Sequence, residues 1–304
     1  MNFYQIAGLS IAVHSDLPIK PGTFAPKFVT FQIDKPGDEL VHLHHHFELP
    51  EIDLQSLGAP IYHKTPWAIY PYDSGWLYLG ILPEDFKANL WKVAIFNVDH
   101  SIGHIYHPSA ENFISGNVGS LTGFPTDQIW LARLLAERNA FYIHSASAII
   151  NGKGILFVGH SEAGKSTTTQ MLLDAKKADL KSKLDIEVLC DDRNILRLMP
   201  VGWQVYGSWS HGDIPIVSEN SAPAHAVCFL EQAKENALIP ISDRQKIIHR
   251  LLACVIKPFE TTDWWERIID LSSHLSSNIP CFTMQFDRSG NIVKEISNIY
   301  KSEV

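Results

Sequence analysis

Hydrophobic positions in the first 120 residues come in short runs rich in β-branched and aromatic side chains, at 28–33, 75–79 and 90–96, with Pro and Gly between them. That is the pattern of short strands joined by turns. No stretch there holds a 3.6-residue period for long, and no internal repeat or low-complexity segment interrupts it. The pattern changes near residue 120. A loop at 123–127 leads into 128–137, where the apolar residues are spaced for a helix. A strand follows over 143–150, Asn151-Gly152 signals a hairpin turn, and a second strand covers 154–158. Further strands are expected at 186–191, 193–198, 203–206, 225–231 and 281–286, and helices at 165–175, 242–255 and 262–277. The expected organisation is a β-rich domain over 1–120 and a mixed α/β domain over 121–304.

Composition narrows the class. With 45% hydrophobic and 19% charged residues in 304, the chain has material for a sizeable core and is not a disordered polymer. The net charge of −8, with no arginine before Arg133, offers no basic footprint, so nucleic acid is not an expected partner. Cys190, Cys228, Cys254 and Cys281 lie far apart, which suits neither a disulfide framework nor a thiolate metal site and fits a reducing compartment. No lysine or arginine precedes Lys20, and no apolar run approaches 18 residues. Neither a signal peptide nor a membrane span is therefore expected, and the expected location is the cytoplasm.

The chemistry concentrates after the 154–158 strand. Gly159-His160-Ser161-Glu162-Ala163-Gly164-Lys165-Ser166, followed by Thr167, satisfies G-x-x-x-x-G-K-[ST] between an apolar strand and the start of a helix. Glycines let consecutive N–H groups turn toward phosphate oxygens, and the following helix adds its dipole. Lys165 is expected to reach the outer phosphates of ATP, and the Ser166 hydroxyl to face Mg²⁺. A carboxylate at the end of a neighbouring strand would complete such a site, and Asp191-Asp192 end the run 186–190. Adjacent strand residues point opposite ways, so the two cannot play the same part.

These segments resemble a known family. Ile143-His144, the hairpin, the loop 159–166 and Leu189-Cys-Asp-Asp192 are similar to the C-terminal domain of HPr kinase/phosphorylase, and more closely to the HPr-kinase-related proteins of modification clusters. Trp203-Gln-Val-Tyr-Gly207, Val227-Cys-Phe-Leu-Glu231 and Pro240-Ile-Ser242 continue the likeness over about 120–290. The resemblance implies a kinase domain with the phosphoenolpyruvate-carboxykinase-like nucleotide fold. It implies Asp191 as catalytic acid/base with His144 near it, and Asp192 with Ser166 on the metal side; which aspartate is base and which is metal ligand stays open. The chain departs from the family in a lysine-rich insertion, Lys176 to Lys183, and in Gly207-Ser-Trp-Ser-His-Gly-Asp213, where the family often carries Gly-Thr-Pro-x-x-Gly-Glu. The likeness does not extend to the features that bind HPr.

His42, His44 and His46 share one face of a strand, with His100, His104 and His107 further on. Zn²⁺ binding is one reading, and packing of imidazoles on aromatics is the favoured one. Arg193, Arg197 and Arg244 could each neutralise transition-state charge, with Arg193 best placed. Ser145 and Ser147 lack a nucleophile elbow. The expected activity is ATP-dependent transfer of the γ-phosphoryl group to a hydroxyl-bearing acceptor: a peptide or small-protein serine, or a small molecule. The alternative is a nucleotide-binding assembly module without phosphotransfer. Recognition of the acceptor falls to the N-terminal domain for want of another assigned role, and homo-oligomerisation stays open.

Overall fold

The computed structural model describes residues 1–81, 90–178 and 185–299. It is a mixed α/β protein with two sheets, in two compact units: 1–137 with 257–264, and 138–256 with 265–304. Residues 179–183 of the lysine-rich insertion lie outside the described residues. Among the described residues no helix is long and apolar enough to cross a membrane.

The first unit carries β1 (Asn2–Ile6), β2 (Leu9–Ser15), β3 (Gln32–Ile33), β4 (Leu40–His46), β5 (Tyr62–Lys64), β6 (Trp67–Tyr72), β7 (Gly75–Ile81), β8 (Leu90–Asn97) and β9 (Ile102–Tyr106). They form one sheet in the order β3-β1-β2-β4-β9-β8-β7-β6-β5. The strand expected at 28–33 is corrected. Pro26–Phe31 is a 3₁₀ turn, and only Gln32–Ile33 pairs with β1. Pro26 presets the first turn. Three-residue periodicity then puts Phe28 and Phe31 on one side, where both are buried, whereas a strand would send them to opposite faces.

Helices α1 (Glu111–Ser115) and α2 (Gln128–Ala136) follow. Every residue of α2 from Ile129 to Ala136 is buried. Trp130 donates its indole N–H to the His100 carbonyl, and the Arg133 guanidinium lies over the rings of Trp76 and Phe259. Those contacts belong to the first unit, so the division falls between Glu137 and Arg138 rather than near 120.

The second unit holds β10 (Ala140–Ile150), β11 (Lys153–Val158), α3 (Lys165–Ala178), β12 (Ile186–Cys190), β13 (Arg193–Met199), β14 (Gly202–Tyr206), β15 (Ser221–Gln232), β16 (Ala237–Pro240), α4 (Arg244–Cys254), α5 (Thr262–Asn278, its first turn in the other unit), β17 (Cys281–Phe286) and α6 (Ile292–Asn298). Long β10 pairs β13 through its first half, and β11 and β12 through its second. β14 joins β13 to β15, and β15 returns in parallel to β11, so five strands close a circuit of pairings. β11 is buried along nearly its whole length because it sits between antiparallel β10 and parallel β15. The core around it includes Phe157, Met171, Leu172, Cys228, Met284 and Phe286.

Candidate functional site: the loop between β11 and α3

Asn151 and Gly152 both have positive φ, +50° and +78°, as the two-residue turn joining β10 to β11 requires. β11 then delivers Gly159 to the start of a tight loop. A Cβ on Gly159 would lie 2.5 Å from the Ala163 Cβ. Gly164 has φ +104°, and a Cβ there would lie 2.6 Å from the Phe286 ring. Glu162 is also left-handed, at φ +66°, and its carbonyl accepts from Gln232 Nε2 at 2.8 Å. The Ala163 amide donates to the His160 carbonyl, closing the turn. Thr168 returns its N–H and Oγ1 to the Gly164 carbonyl, starting α3. The first amides of a helix have no partner within it, so those of Lys165, Ser166 and Thr167 point out of its N-terminus.

Lys165 is buried. Its Nζ donates to the carbonyls of Gly159, at 3.2 Å, and His160, at 3.0 Å, and lies 3.9 Å from Asp192 Oδ1. Asp191 and Asp192 form the bend between β12 and β13, and their side chains diverge. Asp191 is wholly buried and accepts from Gly212 N–H (2.7 Å) on one oxygen and Ile214 N–H (2.9 Å) on the other, with Ser166 Oγ 3.4 Å away. Asp192 faces a cleft and gathers basic side chains: Arg193 Nη1 at 3.3 Å, His144 Nδ1 at 3.7 Å, and Lys165. Burial works to raise its pKa. The His144 interaction and the charges of Arg193, His144 and Lys165 outweigh that and hold the carboxyl below its usual range. His144 therefore stands beside Asp192, not beside Asp191 as the resemblance implied. Asn194 pins the turn by donating to the carbonyls of Ser145 and Cys190.

The cleft measures about 600 Å³ and is lined by Ser161, Glu162, Lys165, Ser166, Asp192 and Arg288 among others. Of the arginines considered, only Arg193 joins Asp192. Arg197 donates to the Arg138 carbonyl, and Arg244 opens α4. Gly212, Ile214, Gln232 and Arg288 carry no motif in the sequence that marks them for this site. Gly212 and Asp213 end the 207–213 segment that departs from the family pattern, the one signal pointing to this part of the cleft.

Among solved structures the chain is similar to the HPr(Ser) kinase/phosphatase from Coxiella burnetii, at 12% identity and a TM-score of 0.30, over 53% of this chain and 97% of that one. That likeness is too slight to carry an argument. No curated protein matches the chain. The family model described as "SynChlorMet cassette protein ScmC" matches residues 128–301, which is more than half the chain and includes the whole loop and both aspartates. The chain belongs to the SynChlorMet cassette protein ScmC family.

Proposed function

We propose that this protein is an ATP- and Mg²⁺-dependent phosphotransferase that moves a γ-phosphoryl group to the hydroxyl of an acceptor such as a serine. The observation that carries the reading is the meeting of Lys165, His144 and Arg193 on the Asp192 carboxylate, all within 3.9 Å, beside the helix N-terminus that lines the cleft. The donor set fits a nucleotide: outward amides at 165–167, a buried ammonium hydrogen-bonded to two loop carbonyls, and a cleft within the range of small-ligand sites. The loop amides and Lys165 would hold the phosphates. The Ser166 hydroxyl, which lines the cleft, would hold the metal, which when bound neutralises phosphate charge.

The geometry favours Asp192 over Asp191 as the base. Asp192 opens to the cleft, whereas both Asp191 oxygens are occupied by backbone amides. Asp192 would accept the acceptor's proton, with His144 orienting it. Its depressed pKa is no obstacle, because a loose transition state depends on positioning and charge neutralisation more than on a strong base. Arg193 would then balance charge on the transferring group.

The test is calorimetry of the full chain with ATP, with and without Mg²⁺, followed by mass spectrometry of serine-bearing peptides incubated with both. Mg²⁺-dependent binding and a phosphorylated peptide are expected. Binding without transfer to any acceptor or to water favours an assembly module, and absence of binding ends the reading.

A further inference from the structure

The histidines of the first unit divide between two faces of its sheet. β4 alternates strictly: Val41, Leu43 and His45 point into the core, while His42, His44 and His46 lie on the other face, half-buried. His45 bonds the His107 ring at 2.8 Å and sits against Phe24 and Phe113, which is the packing role expected of a core imidazole. The outer face is different. Parallel register sets His14 of β2 opposite His44, and His104 of β9 opposite His44 on its other side. Five imidazoles are thus brought together: His14, His42, His44, His46 and His104. They divide again by contact. His46 is engaged at both ring nitrogens, to Asp16 at 2.9 Å and to His104 at 3.1 Å. The remaining three, His14, His42 and His44, place one ring nitrogen each within 4.8 Å of one another.

We propose that His14, His42 and His44 form a binding site for one Zn²⁺ ion, with the fourth position left to water. The His14 Nε2 to His42 Nδ1 separation is 3.1 Å. Two imidazoles on a tetrahedral zinc, each about 2.0–2.1 Å from it, have nitrogens about 3.3 Å apart, so this pair already spans one edge of the coordination shell. The His44 ring stacks on His14 at 4.3 Å, nearly parallel, and must swing about its side-chain torsions to aim its lone pair at the same point. All three rings are half-buried rather than packed in the core, which leaves that swing room. Neutral imidazole suits zinc and its borderline neighbours, and three protein ligands plus an open position is a recurrent zinc arrangement. His46, held by Asp16 and His104, flanks the site rather than joining it. The sequence suggests His42, His44 and His46 as a ligand face, whereas the fold exchanges His46 for His14.

The proposal is independent of nucleotide chemistry and is tested without it. Tag-free full-length protein, stripped with chelator, is titrated with Zn²⁺ by calorimetry. The Co²⁺ form is examined for the intense visible bands of a tetrahedral site. One ion per chain at submicromolar affinity is expected. Replacement of His14, His42 or His44 by alanine should weaken binding by more than about a hundredfold, beyond what loss of an outer partner costs. His104→Ala should change it less than tenfold, and Asp192→Asn should leave it unchanged, which excludes the nucleotide cleft. Circular dichroism of each variant guards against loss of fold, and His→Gln replacements stand in for any that misfold. Several weakly held ions in the wild type, or binding insensitive to the three single replacements, would mean adventitious metal on a histidine-rich surface and would overturn the proposal. An effect of His104→Ala equal to the other three would overturn the ligand set.

Discussion

Replacing each aspartate by asparagine should have opposite consequences, and the structure supplies the magnitudes. Asp191 receives one backbone N–H on each oxygen, from Gly212 and Ile214, in a wholly buried position. Asparagine offers one acceptor oxygen. Whichever way its amide turns, an NH₂ faces one of those N–H donors, so a charge-assisted bond becomes a buried donor–donor contact. Such a loss costs about 2–3 kcal/mol, which for a unit of this size lowers Tm by roughly 4–12 °C. Among the described residues Asp192 has no such amide partners, and it stands among the basic groups of Arg193, His144 and Lys165 at 3.3–3.9 Å. The three partially solvated pairs share one carboxylate and together contribute on the order of 1 kcal/mol, and water hydrates the basic groups once the charge is gone. Asp192→Asn should therefore melt within about 4 °C of wild type while phosphotransfer falls by on the order of a hundredfold or more, the worth of a positioned base. ATP affinity should hold or tighten, since a negative charge beside Lys165 and Arg193 is removed. Thermal melts with calorimetry and a phosphotransfer assay read all three quantities. An Asp191→Asn protein that melts like wild type would refute the hydrogen-bond reasoning. An Asp192→Asn protein that turns over normally would refute Asp192 as base.

Lys165→Met keeps the apolar stem but removes the ammonium, and calorimetry should show ATP affinity reduced at least about tenfold; unchanged affinity would make the loop a turn and nothing more. Gly164→Ala puts a methyl 2.6 Å from the Phe286 ring at φ +104°, so melts should show a loss of about 1–3 kcal/mol, only partly restored by Phe286→Leu because the backbone strain remains. Burial lowers the Lys92 pKa to about 8 from an ordinary 10.5. Between those values the unfolded chain holds the proton and the folded chain does not, so Lys92's contribution to stability rises with pH. The stability of Lys92→Met relative to wild type should then fall by about 2 kcal/mol from pH 8 to pH 9.5 in denaturant melts; a difference flat with pH would contradict it.

Much of the second unit is legible in short windows of sequence. The Asn151-Gly152 turn, the apolar run of β11, the glycines around Lys165, and helices α3, α4 and α5 depend on turn chemistry, capping and periodicity within about ten residues. Those preferences act before any tertiary contact exists. The sequence places Asp191 and Asp192 at the end of β12, in a bend, but does not say which one faces the cleft. That was decided by the 212–214 segment, whose amides fold over Asp191 from more than twenty positions away and leave Asp192 to His144 and Lys165. Phe28 and Phe31 likewise read as strand residues until a shared buried side demanded a three-residue period. His14 gave no local sign of joining His42 and His44. Their meeting depends on parallel pairing of β2 and β4, whose register is set by what the whole sheet buries and not by the residues between them. Local stereochemistry chooses the element. Which face, partner and neighbour each side chain meets is fixed only when distant segments exclude water together.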